Sequence, residues 1–259
     1  MRSTIVLSLL VLACSQKDIE SGELTPEDGG PTPIDALSSP DAGTASQAGT
    51  TDACDVDLSD SYYPLVDGAR WTYRHREGSD IRLETVSVVT MGDQYLLTDE
   101  ASNGKVVEGT LERRGCAVFR VRKLVTQDDE VVLDVDYDPG FLRMDDTLTD
   151  VGDELVLQYD RRAVSTDGFG DQQIEENCSS CGPEFPPREH RFVVEEVGAD
   201  CPVGEQMFEC IVVRRERIEA GELGETKRFW FARGVGKVRE TQELSGKIEE
   251  LLEFDLPGL

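Results

Sequence analysis

The sequence predicts an all-β protein, and three observations support that prediction. Apolar and polar residues alternate with a period of two through most of residues 58–259, whereas helical periodicity hardly occurs there. Short turn signals rich in glycine, asparagine and aspartate separate many of the alternating runs. Every aromatic residue lies after residue 61, so only this part of the chain has the material for a core. We expect a single antiparallel β domain over residues 58–259.

Each predicted strand presents apolar side chains on one face. In Val131–Asp138, three apolar residues alternate with three aspartates, which is typical of a half-buried strand with one face in water. The other predicted strands are Ala69–Arg76, Ile81–Thr90, Val106–Glu112, Ala117–Val125, Glu154–Val164, His190–Val197, Phe208–Ile218, Lys227–Ala232 and Lys237–Leu244. The only helix candidate is Lys247–Glu253, where a strand is still our preferred interpretation.

Predicted turns join these strands. They include Gly92-Asp93, Asn103-Gly104, Asp138-Pro139-Gly140 and Gly198-Ala199-Asp200. Short connections between consecutive strands predict antiparallel hairpins. A meander of about 10–12 strands exceeds what an open sheet carries without curling, so we expect a curved sheet, a half-barrel or a barrel.

Residues 1–13 contain a short apolar run behind one basic residue. The run Ile5–Ala13 is too short to cross a membrane, which needs about 20 apolar residues. Its end, Val11-Leu12-Ala13-Cys14, resembles the signal peptide and lipobox of bacterial lipoproteins, although Leu12 stands where a small residue is more usual. The resemblance implies that Cys14 becomes the acylated first residue of the mature chain. An ordinary cleaved secretory signal is the alternative.

Residues 14–57 have the composition of a disordered linker. After Cys14 they contain four prolines, ten acidic residues, one basic residue and no aromatic residue. Such a segment cannot bury enough apolar surface to offset the loss of chain entropy. It therefore reads as a flexible tether between a lipid anchor and the β domain.

The chain is strongly acidic, with 53 acidic residues against 26 lysines and arginines and a formal net charge of −27. Nucleic acids and anionic lipid surfaces carry dense negative charge and are repelled by such a protein. The charge excludes nucleic-acid binding and leaves cations, basic proteins and neutral ligands open as partners.

Three motifs of the body resemble a broad group of uncharacterised bacterial secreted β lipoproteins. The segment from Tyr63-Pro64-Leu65 through Gly68 and Trp71 to Tyr73 is similar to their Y-P-L-x-x-G-x-x-W-x-Y entry into the first strand. Phe231–Val238 is similar to their Y-A-P-G-V-G-x-V hairpin, with Arg233 in place of the proline. Residues 202–210 loosely match their P-A-G-T-F-x-C strand entry. The resemblance implies a curved antiparallel sheet in the cell envelope and no particular activity.

Six cysteines follow Cys14, an even number that predicts three disulfides in an oxidising periplasm. Our preferred pairs are Cys201 with Cys210, Cys178 with Cys181, and Cys54 with Cys116. The C-x-x-C sequence at 178–181 is also compatible with a redox dithiol, or with half of a zinc site that residues 201 and 210 complete. The expected loop position and the oxidising compartment favour disulfides over both alternatives.

Four aspartates suggest a calcium loop. Asp134, Asp136 and Asp138 have EF-hand spacing, and Asp145 falls where such a loop closes, but Pro139 occupies the position that requires glycine. Strand alternation already accounts for the first three as a solvated face, so we assign no metal ligand here.

The remaining polar residues suggest no catalytic centre. The chain has no G-x-S-x-G, H-E-x-x-H or P-loop sequence, and we assign no catalytic or cofactor-binding residue and no cofactor. His75 and His190 each lie beside charged neighbours and read as surface strand residues. Asp145-Asp146 reads as a solvated turn, and Glu249-Glu250 as surface charge.

The sequence therefore predicts a lipid-anchored cell-envelope protein, placed at the outer membrane and facing the periplasm or the cell surface. We expect a non-catalytic interaction or structural module with an envelope protein as its partner. The alternative is a carrier that binds an apolar or acyl ligand in a curved β-sheet cavity. An enzyme is the third hypothesis, and it requires a cleft with convergent titratable groups.

Overall fold

The computed structural model describes residues 57–167, 170–219 and 222–259, which all belong to one compact unit. The predicted signal peptide, Cys14, Cys54 and nearly all of the linker lie outside these ranges, so the interpretations placed on them stay predictions. Within the described ranges, no helix is long and apolar enough to cross a membrane.

The described residues form thirteen strands after one short 3₁₀ turn at Leu58–Asp60. The strands are β1 (Arg70–Glu77), β2 (Asp80–Met91), β3 (Gln94–Ala101), β4 (Lys105–Arg114), β5 (Ala117–Gln127), β6 (Glu130–Asp145), β7 (Glu154–Thr166), β8 (Gln172–Asn177), β9 (Arg188–Val203), β10 (Gln206–Glu219), β11 (Glu222–Ala232), β12 (Gly236–Gln242) and β13 (Ile248–Asp255). The all-β prediction is confirmed, and the former helix candidate is β13. Sequence reasoning missed β3 and β8, which lack a clear run of alternating apolar residues.

Twelve of the strands close into an antiparallel barrel. Neighbouring strands follow the order β6-β5-β4-β3-β2-β1-β13-β12-β11-β10-β9-β7, and β6 pairs with β7 to complete the circle. The closing register sets Val135 opposite Ala163, with both side chains buried. β8 is the extra strand and pairs with β7. Of the three architectures expected for a meander of this size, the chain adopts the barrel.

Two predicted turns are wrong because they lie inside strands. Asp138-Pro139-Gly140 belongs to β6, where the register with β5 jumps from Arg122↔Asp136 to Arg120↔Phe141. Gly198-Ala199-Asp200 belongs to β9, beside a register shift against β10. Proline and glycine also mark β-bulges, where an extra residue bends a strand. Proline and glycine therefore form bulges at these two places, although the same residue types often form turns.

The first strand motif and the glycine hairpin pack against each other at one end of the barrel, which we call the plugged end. Trp71 Nε1 donates a hydrogen bond to the Val235 carbonyl oxygen at 2.7 Å, and the Tyr73 hydroxyl donates to the Lys237 carbonyl oxygen at 2.9 Å. Gly234 has a positive φ of 64°, and an added Cβ would collide with a backbone carbonyl oxygen of the entering segment 57–69. The two motifs together hold that segment across the end of the barrel.

Asp146 anchors the same segment from the β6–β7 connection. Its carboxylate accepts hydrogen bonds from the Ser61 hydroxyl at 2.8 Å and from the Tyr62 backbone N–H at 2.7 Å. Arg113 Nη1 lies 3.2 Å from the same carboxylate. The side chain is buried, so the prediction of a solvated turn at Asp145-Asp146 is wrong for Asp146. The acid is buried because three donors converge on it.

The buried apolar side chains form two hydrophobic clusters. The first contains Leu65, Trp71, Tyr73, Val88 and Leu111, with further residues around them. The second has the side chains of Tyr62, Phe119, Leu142, Phe192, Ile211 and Phe229 among its members. The opposite end, which we call the far end, carries the β1–β2, β3–β4, β5–β6 and β12–β13 turns. Toward that end the interior lining changes from apolar to charged.

Candidate anion-binding cavity inside the barrel

The interior toward the far end contains a cavity of about 190 Å³ with a charged wall. Its cationic residues are Arg82, Lys105, Arg120, Lys123, Arg143, Lys237 and Lys247. Its acidic residues are Glu84, Asp99, Glu240 and Glu249. In a chain of net charge −27, this wall carries more cationic than acidic side chains.

The acids gather on one side of the cavity, around Lys237. The Lys237 ammonium contacts Glu249 and lies 3.0 Å from Glu240. Burial alone would lower the pKa of Lys237, but the charges of Glu249 and Glu240 raise it well above its usual value. Burial would likewise raise the pKa of Glu240, which Lys237 and Lys227 hold well below its usual value. This side of the wall therefore neutralises its own charge.

The other side of the wall has cations without acidic partners. Arg120, Lys123 and Arg143 all line the cavity, and none of them forms an ion pair among the described residues. The Nε atoms of Arg120 and Arg143 are buried without a hydrogen-bond partner in the described part of the chain. The Arg143 guanidinium lies 5.9 Å from the centre of the Tyr63 ring, a contact with an aromatic face and not with a carboxylate. We call these three residues the cationic triad.

The pKa values of Arg120 and Lys123 reflect this unbalanced charge. Burial would also lower the pKa of Arg143, but Tyr63 and Glu240 outweigh that effect and raise it instead. Burial, followed by repulsion from Arg143, lowers the pKa of Arg120 to about 10. Burial, followed by repulsion from Arg120, lowers the pKa of Lys123 to about 8. Both groups still carry most of their charge at neutral pH, so the triad creates a positive potential inside the barrel.

Strand irregularities bring the triad together. Arg120 and Lys123 are three positions apart on β5, and the register shift between Arg120 and Arg122 turns both toward the interior. Val118 pairs with Met144 and the next residue, Phe119, pairs with Leu142, so the register skips Arg143. Arg143 is therefore the extra residue of a bulge on β6. Strict alternation would place these side chains on different faces. The sequence does not show where bulges occur, so sequence reasoning missed the triad.

Gly109 on β4 makes room for the Arg120 side chain. A Cβ at this position would lie 2.9 Å from Arg120 Nε. Gly109 pairs with Lys123 across the β4–β5 ladder, so the glycine lies directly beside the triad. Glycine within a strand often marks the close approach of another group. The glycine at position 109 was visible in the sequence, but the sequence does not show that the Arg120 side chain is the group that approaches it.

The cavity is apolar toward the plugged end. An adjoining space of about 70 Å³ shares Asp99, both triad arginines, Lys237 and Glu249 with the charged region. Its remaining lining is aromatic or apolar and consists of Tyr63, Pro64, Trp71, Tyr73, Val86, Leu97 and Gly236. A ligand bound by the triad would therefore meet aromatic faces on one side.

His75 lies inside the barrel beside two carboxylates. Its Nε2 contacts Glu84 and lies 3.2 Å from Glu249 Oε2, and all three side chains are buried. The surface prediction for His75 is wrong, because alternation sends Arg74 and Arg76 outward and the residue between them inward. The same alternation buries Glu249 and leaves Glu250 to pair with Arg74 on the outer face.

Glu84 forms a second acidic contact, with Asp99 on β3. Burial raises the pKa of Asp99 to about 9, with the neighbouring Glu84 adding to the effect. Burial would also raise the pKa of Glu84, but hydrogen bonds with His75 and Asp99 lower it to about 2. At neutral pH Asp99 therefore keeps its proton beside the Glu84 carboxylate.

His190 is also buried, so the surface prediction for it is wrong as well. Its Nδ1 lies 3.1 Å from the Tyr159 hydroxyl, and its ring stacks on the Tyr159 ring. Burial, followed by the nearby Arg215, lowers its pKa to about 3. It is a neutral core histidine that packs among aromatic rings.

The structure contains two of the expected disulfides. Cys178 and Cys181 are bonded in the β8–β9 connection, with 5.1 Å between their Cα atoms. Cys201 and Cys210 are bonded across the β9–β10 hairpin, with 6.1 Å between theirs. These bonds leave no thiolates for the zinc alternative at the four positions. The Cys178–Cys181 pair lies in a connection between strands and not at a helix N-terminus, the usual setting of a redox C-x-x-C pair. The Cys54–Cys116 pair stays a prediction, because Cys54 lies outside the described residues.

The aspartates of the suggested calcium loop form no cluster of metal ligands in the described ranges. Asp134 forms a bidentate pair with Arg122, and Asp136 lies 3.9 Å from the same guanidinium. Asp145 accepts hydrogen bonds from Thr147 instead. The outward face of β6 is thus a solvated, ion-paired strand face.

Comparison of the chain with protein-family models, curated proteins and solved structures found no match. The fold and the cavity define a closed β-barrel with a partly unbalanced cationic interior. Its function must be inferred from that interior.

Proposed function

We propose that this chain is a non-catalytic, lipid-anchored binding protein of the cell envelope, and that its barrel holds a small anion at the cationic triad. The observation that carries the proposal is the set of three cations, Arg120, Lys123 and Arg143, that face an interior cavity without acidic partners. Burying a charge that has no partner is costly. A bound anion would offset that cost and accept the free guanidinium hydrogens.

The size of the cavity limits the ligand. Ligand pockets for larger organic molecules measure about 300–1,000 Å³, whereas the charged cavity here measures about 190 Å³. Such a volume suits an oxyanion or a small carboxylate, with any apolar part against the aromatic faces beyond it. A long acyl chain would need a larger apolar slot. We therefore keep the hypothesis that the barrel carries a ligand, but we replace the acyl ligand by a small anion.

The lining also favours binding over covalent chemistry. Among the described residues that line the charged cavity there is no serine, threonine or cysteine to act as a nucleophile. Guanidinium groups bind oxyanions through parallel N–H donors and do not exchange protons near neutral pH. The triad has the composition of a binding site.

The acidic exterior and the cationic interior are compatible. The Debye length is about 8 Å at physiological ionic strength, so a small anion feels mostly the charges nearest to it. Lys105 is exposed at the far end and lines the same cavity, together with Arg82 and Lys247 near neighbouring turns. These cations extend the positive lining toward the end of the barrel. Polyanions such as nucleic acids are too large for this route.

Native mass spectrometry tests the proposal on protein taken gently from its own envelope. We expect the native mass to include a small component that is lost on denaturation. Arg120→Gln should remove that component, because it deletes one triad cation. Arg122→Gln is the matched control: it lies on the same strand, is exposed and pairs with Asp134 on the outer face. A wild type that loses no component on denaturation, or an Arg120→Gln variant that loses the same component as the wild type, would overturn the binding proposal.

The denatured masses from the same samples test the anchor separately. A mature chain that begins at Cys14 and carries two or three acyl chains is the expected product, and two chains already hold a protein firmly at a membrane. An unmodified mass that begins elsewhere would contradict lipidation and leave the ligand proposal standing.

A further inference from the structure

We propose that His75, Glu84 and Glu249 bind a divalent metal ion of the zinc class inside the barrel. This inference goes beyond anion binding and rests on different residues. One donor atom from each of the three lies within 4.8 Å of the others, and all three side chains are buried. His75 is only 3 % exposed, and its Nδ1 has no hydrogen-bond partner among the described residues.

Three adjacent strands hold the donors in place. β1 lies between β2 and β13, and His75 is directly opposite Glu249 in the β1–β13 register. Glu84 on β2 is opposite Tyr73. Tyr73 lies two residues before His75 and therefore on the same face of β1. Donors on neighbouring strands of a closed sheet are held more precisely than donors on loops.

The donor spacing fits a small ion. Two donors about 2.0–2.1 Å from a tetrahedral zinc ion lie roughly 3.3 Å apart. The distance from His75 Nε2 to Glu249 Oε2, 3.2 Å, matches that separation. One imidazole and two carboxylates suit zinc and related transition metals better than calcium, which takes 6–8 oxygen ligands. Glu84 and Glu249 also line the cavity, so a fourth coordination position would face it.

Neighbouring groups orient the carboxylate ligands. Lys237 contacts Glu249 Oε1, which leaves Oε2 facing His75. Asp99 on β3 lies beside Glu84. Hydrogen bonds that fix the unbound part of each ligand are a regular feature of metal sites, and their loss typically weakens metal binding about 10–100-fold.

The experiment titrates zinc into the chelator-treated mature chain by isothermal calorimetry. We expect one equivalent to bind. Glu84→Gln should weaken binding about tenfold or more. Glu250→Gln should not change it, because Glu250 faces outward on β13 and pairs with Arg74. Circular dichroism and retained phosphate binding would show that the variant barrel is intact and would separate this site from the triad.

Cobalt(II) gives a second measurement on the wild-type chain alone, in case the variants fail to fold. A tetrahedral nitrogen and oxygen site would give visible absorption bands at one equivalent. Absence of those bands together with absence of zinc uptake would overturn the inference. Zinc uptake that is equal in the wild type and in a folded Glu84→Gln variant would do so as well, because it would place the ion elsewhere.

Discussion

The two ends of the barrel satisfy their polar groups in opposite ways. At the plugged end, the Asp146 carboxylate receives three donors, and Trp71 and Tyr73 each donate to a backbone carbonyl oxygen. Toward the far end, Arg120 and Lys123 line a cavity and form no ion pair with an acidic residue of the described ranges. The first arrangement stabilises the fold, whereas burial of the second group of charges costs stability. This difference between the two ends is the reason for proposing a ligand at the cationic triad.

The largest effect is expected from Asp146→Ala at the plugged end. The substitution leaves Arg113 partly buried without its carboxylate and removes the acceptor for Ser61 and for a backbone N–H. Breaking such a buried pair costs about 3–5 kcal/mol of the free energy of unfolding. Urea unfolding measures the loss, with Asp145→Ala as the control. A loss no larger than that of the control would mean that the plug does not stabilise the barrel.

A smaller loss is expected from removal of the Cys201–Cys210 disulfide. The bond closes a loop of sequence separation 9 at the β9–β10 hairpin. Loop-closure entropy for that length corresponds to about 2–3 kcal/mol. The double variant Cys201→Ala/Cys210→Ala should show this loss in thermal unfolding and keep its ligand. Loss of anion binding in a folded double variant would contradict the separation of the two regions.

A pH-dependent effect is expected at the far end from Lys123→Met. The folded-state pKa of Lys123 is lowered to about 8, below the value near 10.4 of a lysine in an unfolded chain. Between these values the unfolded state binds more protons, so this lysine makes the free energy of unfolding rise with pH from about 8 to about 10.4. The wild type minus variant difference, measured by urea unfolding at several pH values, should show that rise. A difference that falls with pH over this range would contradict the lowered pKa.

The sequence was sufficient for the regular parts of the fold. Period-two alternation identified most strands, and the same pattern correctly placed the aspartates of β6 on its outer face. The motif with Trp71 and the hairpin with Gly234 were recognised separately, but only the structure shows that they contact each other. Contacts between distant segments depend on how the meander closes, which local patterns do not encode.

The candidate sites were missed for two physical reasons. Arg120 and Arg143 turn inward at bulges, and a one-residue shift reverses every face assignment that follows it. His75 and Glu249 follow regular alternation but were assigned to the surface because their neighbours are charged. Their position was predictable in principle, since Arg74 and Arg76 cannot both face inward with the residue between them. The net charge of −27 also hid a cationic interior, because a total does not report where charges lie.

Binding of inorganic phosphate to the purified barrel is the most direct test of the account. Calorimetric titration of the wild type, Arg120→Gln and Arg122→Gln compares an inward and an outward arginine on one strand. The account predicts saturable binding by the wild type and by Arg122→Gln, with affinity that falls as pH rises above about 8 because Lys123 loses its proton. It predicts loss of binding in Arg120→Gln. Equal binding by all three proteins would contradict the assignment of the anion to the cationic triad.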